Sequence, residues 1–116
     1  MTTRQTRQIS WIKAALKEFE KFPLDAQEIC FSALTIAAEG GKAEIAKPLT
    51  GLGSGVFEIA LPFRRNAYRV VYAVQIANAI WVVHAFQKKS TKGITTPKKQ
   101  IDLVASRLNT LKEMLR

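Results

Sequence analysis

The 116-residue chain is poor in the residues that build disulfide-linked or zinc-stabilised folds. It has one cysteine, Cys30, and one histidine, His84, so it can form no internal disulfide and cannot supply four zinc ligands. Its apolar runs are short, and its first residues lack the apolar core of a secretory signal. We therefore expect a cytoplasmic protein with no membrane segment, no metal and no cofactor.

Carboxylates are absent from a long part of the chain. The net charge is +9, and residues 1–58 hold seven residues of each sign, whereas residues 59–116 hold eleven basic and two acidic ones. No Asp or Glu lies between Glu58 and Asp102. Such a segment attracts a polyanion, most commonly nucleic acid. The alternative is a solvated basic face that only keeps the protein soluble.

The apolar content of 47% is typical of a globular protein, and the length fits one domain over residues 1–116. Apolar residues at helical spacing predict a helix from Ile12 to Phe22, which Pro23 ends, and a second helix over 25–39, which two glycines end. These helices are predicted to form a hairpin. Cys30 lies on the buried stripe of the second helix, where it is a small core residue.

From Gly51 the apolar period changes from 3.6 to 2. Residues 57–61, 68–74 and 80–86 are rich in β-branched and aromatic residues and are joined by short connections, which predicts an antiparallel meander. Residues 7–12 form a further, short candidate strand. The predicted fold class is therefore α+β, with an N-terminal helical hairpin packed on a small antiparallel sheet and a C-terminal helix.

Strand alternation assigns side chains to the two faces of this sheet. Trp81 and Val83 are predicted to face the helical hairpin, whereas Arg69, His84 and Lys88 are predicted to lie on a second, solvated face. The terminal helix is predicted to begin with Thr96 as its N-cap and proline at its first position.

Basic residues on the second face are the candidates for chemistry on a phosphodiester. Guanidinium and ammonium groups clamp a phosphate and stabilise its charged transition state, and an imidazole transfers protons near neutral pH. The candidate catalytic residues are Arg69, His84, Lys88 and Lys89. The candidate nucleic-acid-binding residues are Arg64, Arg65, Phe86, Lys92, Lys98 and Lys99.

Structural roles compete with two of these assignments. Arg69 can form an ion pair with Glu58 across adjacent strands, which is compatible with phosphate binding because a carboxylate can orient an arginine. His84 can be a satisfied sheet histidine that packs beside Phe86.

Three segments carry a resemblance to a known family. They are KPLTGLGSGVFEI at 47–59, YRVVY at 68–72 and HAFQKK at 84–89. In this order, between two N-terminal helices and a C-terminal helix, they resemble the RelE/ParE toxin superfamily and, more narrowly, its phage-derived HigB-like branch.

The resemblance implies a toxin of a type II toxin–antitoxin module. Toxins of the RelE and HigB type cleave mRNA in the ribosomal A site without a metal, through attack of a 2′-hydroxyl on the adjacent phosphodiester, and so inhibit translation. A cognate helix-turn-helix antitoxin, HigA-like in this branch, neutralises them. The resemblance places Arg69 at a functional arginine and Lys89 near a second functional basic residue.

Two departures from RelE leave other functions open. RelE has two lysines on the strand matching residues 57–61, where this chain has Glu58 and Ala60, and no tyrosine follows Tyr72 to match its catalytic tyrosine. His84 or a lysine would have to supply the acid and base. One alternative is a ParE-like toxin that binds DNA gyrase and cleaves no RNA. Another is a small basic RNA-binding module whose exposed Phe86 stacks on a base.

Overall fold

A computed structural model of the protein describes residues 6–88 and 96–115. It contains three helices and five strands, which confirms the predicted α+β class. In chain order they are β1 (Ile9–Trp11), α1 (Lys13–Phe19), α2 (Leu24–Ala38), β2 (Ala46–Pro48), β3 (Val56–Phe63), β4 (Asn66–Ile76), β5 (Ala79–Lys88) and α3 (Lys98–Met114). None of the helices in this described part is both long and apolar enough to span a bilayer.

The five strands form one sheet in the order β1-β5-β4-β3-β2. The meander β3-β4-β5 is antiparallel, as predicted, and the candidate N-terminal strand pairs with β5 in parallel. The edge strand β2, which pairs with β3, was not predicted. It has three residues and ends in Pro48, so it is too short to show alternation, and proline is tolerated at a sheet edge.

The helices α1 and α2 pack on one face of the sheet and build the larger part of the core. The α2 helix ends in a Schellman motif, in which the N–H groups of Gly40 and Gly41 bond to the carbonyls of Ala37 and Ile36. Gly40 has φ +95°, a conformation that favours glycine and accounts for the predicted end of the helix. Cys30 is fully buried in this core, as predicted, and burial raises the pKa of its thiol to about 12.

The second face of the sheet is covered for much of its length by α3, so the prediction that this face is solvated is wrong there. Val104, Leu108 and Leu111 of α3 pack against a second apolar cluster from the sheet. The sheet residues of this cluster are Val56, Val71, Ala73, Ile76 and Val83.

The predicted facing of Trp81 and Val83 is also wrong. Val82 packs with the α1 and α2 core, whereas Val83 belongs to the α3 cluster and Trp81 packs against it. The cause is a β-bulge, because Val71 pairs with His84 but the next residue, Tyr72, pairs with Val82. One extra residue in a strand shifts the alternation on one side of it, and no sequence signal marked that position.

Removing one buried side chain from α3 tests whether this helix is part of the folded core. We expect Leu108→Ala to lower the free energy of unfolding by about 3 kcal/mol, because it leaves a cavity against the sheet. Leu103 on the same helix is 39% exposed and is the matched control, for which about 1 kcal/mol or less is expected. Urea unfolding of both variants provides the measurement, and equal losses would contradict the packing of α3.

Candidate functional site

An open cleft lies at the end of the second face that α3 leaves uncovered. Its volume is about 510 Å³, and residues of β2, β3 and β4 line it together with the residue that precedes α3 by two positions. The polar and charged side chains among them include Lys47, Glu58, Arg69 and Thr96. The cleft therefore brings together charged groups of both signs from three neighbouring strands.

Arg69 and Glu58 form a buried ion pair at the cleft. Arg69 Nη1 donates to Glu58 Oε1 at 2.8 Å, and the two residues are 5% and 8% exposed. Glu58 lies opposite Val71 and Arg69 lies opposite Ala60, so the pair is diagonal across β3 and β4. The predicted ion pair is confirmed. It fixes the guanidinium at the cleft, because a charge-assisted bond in a buried setting has few alternative geometries.

Thr96 completes this group and was missed as a site residue. Its Oγ1 donates to Glu58 Oε2 at 2.7 Å and lies 3.5 Å from Arg69 Nη1. The prediction that Thr96 is the N-cap of α3 is wrong, because the N-cap is Pro97 and no side chain caps this end. The hydroxyl bonds to the sheet instead, which a local capping pattern cannot reveal.

Lys47 is a second residue that the sequence patterns missed. It lies directly opposite Glu58 in the pairing of β2 with β3, and it lines the cleft with its side chain exposed. The strand β2 thereby brings a lysine to the face of the sheet that carries Glu58. Lys47 could be placed at the site only through β2, and a strand of three residues shows no alternation in the sequence.

His84 lies under α3 and is not among the residues that line the cleft. It is 4% exposed, and Arg107 Nη1 donates to its Nδ1 at 2.9 Å while its Nε2 bonds to Gln100 Oε1. Since a guanidinium has no acceptor, Nδ1 is the unprotonated nitrogen and Nε2 carries the hydrogen. Both ring nitrogens are therefore occupied within the protein, an arrangement that gives the predicted proton transfer by His84 no support.

The predicted packing of His84 beside Phe86 is confirmed, since the two rings stack at 5.1 Å. Phe86 is only 8% exposed, so the prediction of an exposed aromatic ring at this position is wrong. Phe86 lies opposite Arg69 in the pairing of β4 with β5, and its buried ring is not available for stacking on a base.

None of the other predicted basic residues within the described part of the chain lines the cleft. Lys88 is half-buried at the end of β5 and lies opposite Ala67, which lines the cleft. The side chains of Arg64 and Arg65 are exposed in the turn between β3 and β4, and those of Lys98 and Lys99 are exposed at the start of α3. Lys89 and Lys92 lie outside the described residues.

This sequence matches, over residues 17–109, the family described as "Phage derived protein Gp49-like (DUF891)". The chain belongs to this family. A solved structure of the E. coli toxin RelE, a mutant in the free state, has a similar fold with a TM-score of 0.63. The two sequences are 18% identical, and the match covers 91% of this chain and 98% of that one. No curated protein matches the chain by sequence.

Family membership and the shared fold confirm the predicted relationship to the RelE-like toxin superfamily. The fold similarity extends over nearly the whole chain, so the helical hairpin, the meander and α3 all belong to it. Proteins that share a fold can differ in their chemistry, which depends on the side chains at the site. At the cleft of this chain, β3 carries Glu58 and Ala60.

Breaking the buried ion pair is expected to destabilise the protein. Glu58→Ala leaves the Arg69 guanidinium without its carboxylate, and we expect a loss of about 3 kcal/mol in the free energy of unfolding. The exposed pair between Lys21 and Glu18, at 3.1 Å, is the control, and Lys21→Ala is expected to cost about 0.5 kcal/mol or less. Chemical denaturation compares the two variants, and a loss for Glu58→Ala as small as the control's would show that burial adds nothing to this pair.

The buried imidazole predicts a pH dependence of stability. Burial lowers the pKa of His84 from its usual 6.5, Arg107 lowers it further, and the bond to Gln100 together with Glu18 and Glu58 opposes the shift. Because the unfolded chain then takes up the proton first, stability is fully present above about pH 6.5 and falls as the pH drops towards the folded pKa. The slope reaches at most about 1.4 kcal/mol per pH unit.

Urea unfolding at a series of pH values from neutral to mildly acidic measures this dependence. We expect His84→Gln, which keeps a hydrogen-bonding side chain but does not titrate, to flatten the profile in that range. An unchanged profile in the variant would assign the titration to another group.

Proposed function

We propose that this protein is the toxin of a type II toxin–antitoxin module and a ribosome-dependent mRNA endonuclease that needs no metal and inhibits translation. The observation that carries the proposal is the position of Arg69 at an open cleft on the uncovered end of the sheet, held there by Glu58. This is the arginine that the resemblance to RelE-type toxins assigns to function. A guanidinium fixed in this way is suited to stabilise the negative charge of a phosphodiester that enters the cleft.

In the proposed reaction, the 2′-hydroxyl of one nucleotide attacks the adjacent phosphorus. A bond forms between O2′ and phosphorus, the bond from phosphorus to the O5′ of the next nucleotide breaks, and negative charge accumulates on the non-bridging oxygens. Arg69 stabilises that charge, and Glu58 and Thr96 hold the guanidinium in place. A group that is positioned in advance stabilises the transition state without a cost of reorganisation.

Proton transfer in this reaction is assigned to lysines at the cleft rather than to His84. Lys47 lines the cleft opposite Glu58, and Lys88 lies at the end of β5 opposite a cleft residue. Lys89, next in the chain, is the third candidate from the sequence. In the proposed reaction, one of these lysines accepts the proton of the attacking 2′-hydroxyl and another donates a proton to the O5′ that leaves.

The proposed partners follow from this function. They are the ribosome with its mRNA, and a cognate helix-turn-helix antitoxin of the HigA-like type that holds the toxin inactive in the cytoplasm. Exposed basic groups in the turn between β3 and β4 and at the start of α3 support an RNA target; they are Arg64, Arg65, Lys98 and Lys99.

A ParE-like toxin that binds gyrase without nuclease activity is the second candidate. The observation that favours it is the closed ion pair, since Arg69 is 5% exposed and already bonded to Glu58. In that case the pair only supports the sheet. The third interpretation, an RNA-binding module that uses an exposed Phe86 for stacking, is not supported, because that ring is buried.

Brief induction of the protein in cells, followed by mapping of mRNA 5′ ends, tests the first candidate. We expect growth arrest and cuts positioned by codon. Arg69→Lys, which keeps the charge but not the planar fork, is expected to lower the cleavage rate about 100-fold, because a positioned donor is lost. Lys47→Ala is expected to lower it about 10-fold, whereas Lys17→Ala, an exposed lysine on α1, should leave it unchanged.

Circular dichroism of each variant shows whether it is folded, and a supercoiling assay with purified gyrase is run in parallel. Loss of supercoiling without codon-positioned cuts would reject the endonuclease and support the ParE-like alternative. Equal cleavage by the parent, Arg69→Lys and Lys47→Ala would show that the cleft is not the reaction site.

A further inference from the structure

The turn between β3 and β4 has a backbone conformation that its residues disfavour. Arg64 and Arg65 are the two residues of the turn, and their φ angles are +50° and +70°. Two-residue hairpin turns of this hand strongly prefer Asn-Gly, because other L residues are strained at positive φ. Two consecutive arginines therefore occupy a turn whose geometry favours other residues.

A second turn of the same kind serves as an internal comparison. Ala77 and Asn78, which connect β4 to β5, have φ angles of +48° and +54°. The fold thus builds this turn type twice, once with two cationic residues and once with none. Arginine is not required by the turn itself.

Packed aromatic rings connect the Arg64-Arg65 turn to the core. The guanidinium carbon of Arg64 lies 5.1 Å from the centre of the Phe63 ring, Phe63 contacts Tyr68 edge-on at 6.2 Å, and Tyr68 packs on Phe22 at 4.7 Å. The series continues into the core through Phe19 and Trp11. The turn is thereby attached to the core, and the guanidinium of Arg64 is positioned in advance, which lowers the entropic cost of binding.

The charges of this turn are not neutralised within the described part of the chain. Both side chains are exposed, and neither forms an ion pair with a carboxylate among residues 6–88 and 96–115. One face of the Phe63 ring is covered by Arg64, and the ring meets Tyr68 on another side. The tip of the turn is therefore suited to phosphates rather than to stacking on unpaired bases.

We propose that the Arg64-Arg65 turn is a rigid docking element for the phosphate backbone of base-paired RNA, separate from the cleft that cleaves the message. A turn held by packed rings matches a target whose phosphates also have fixed spacing, which is true of a duplex and not of a flexible single strand. This inference rests on the proposed function, since it supplies the contact with structured RNA that a ribosome-dependent nuclease needs. The strain in the backbone is retained because the arginines serve binding.

The test measures affinity of the full chain for a short RNA stem-loop and for oligouridine over a series of potassium chloride concentrations. For Arg64→Asn with Arg65→Gly, we expect the slope of log K against log salt for the stem-loop to be shallower by about 2, because two phosphate contacts are lost. The slope for oligouridine should not change. The same variant should melt roughly 5 °C higher than the parent, because the turn is relieved of strain.

Two further variants separate charge from stability. Ala77→Asn with Asn78→Gly relieves the other turn and should raise the melting temperature without changing either slope. Arg64→Gln with Arg65→Gln removes the charges while keeping side chains at the strained positions, and should reproduce the shallower slope without the gain in stability.

An unchanged stem-loop slope in the charge-removed variants, an equal change on oligouridine, or no binding of the parent to the stem-loop would each overturn the inference. Cleavage of mRNA by the parent on purified ribosomes is measured alongside. If the parent cleaves no mRNA but the variants change the salt slope as expected, the endonuclease is rejected and the docking element is supported. If the parent cleaves mRNA but the variants leave the slope unchanged, the docking element is rejected and the endonuclease is supported.

Discussion

The strand β4 is buried on both faces along much of its length, and the arrangement of the helices follows from this constraint. Val70 and Tyr72 face α1 and α2, whereas Val71 and Ala73 face α3. A sheet that is apolar on both faces needs helices on both. Because α3 covers the second face only in part, Arg69 at one end of the same strand lines an open cleft. The cleft is thus the part of that face that α3 leaves open.

The interaction between Glu58, Arg69 and Thr96 connects this cleft to the start of α3. Thr96 lies two residues before the helix begins, so its bond to Glu58 fixes where the helix leaves the sheet. A buried ion pair contributes little net stability compared with apolar packing, but it requires one geometry. Here that geometry orients a guanidinium towards the cleft and holds the chain at its edge. The same three side chains therefore serve the fold and, in our proposal, the chemistry.

The basic residues are distributed unevenly along the chain. The exposed surface of α2 carries Asp25 and Glu28 and no basic residue, whereas the exposed cations Arg64, Arg65 and Lys98 belong to the carboxylate-free part of the chain. The excess of positive charge therefore lies in the second half of the sequence rather than evenly along it. Such an excess attracts a polyanion. The fold is similar to that of RelE, and its chemistry depends on the side chains that this sequence places on it, such as Lys47 on β2.

The sequence by itself determined the elements and much of their order, because periodicity, prolines and glycines act over a few residues. It predicted α2 nearly to its ends, the three long strands, the burial of Cys30 and the pair between Glu58 and Arg69. Only the tertiary structure decided what depends on distant partners. The bulge beside His84 reversed the sheet faces on which residues 81 to 83 lie, and α3 buried His84. Thr96 lies at the cleft because it bonds to Glu58, and Lys47 lies there because β2 pairs with β3. Local sequence patterns encode neither of these long-range interactions.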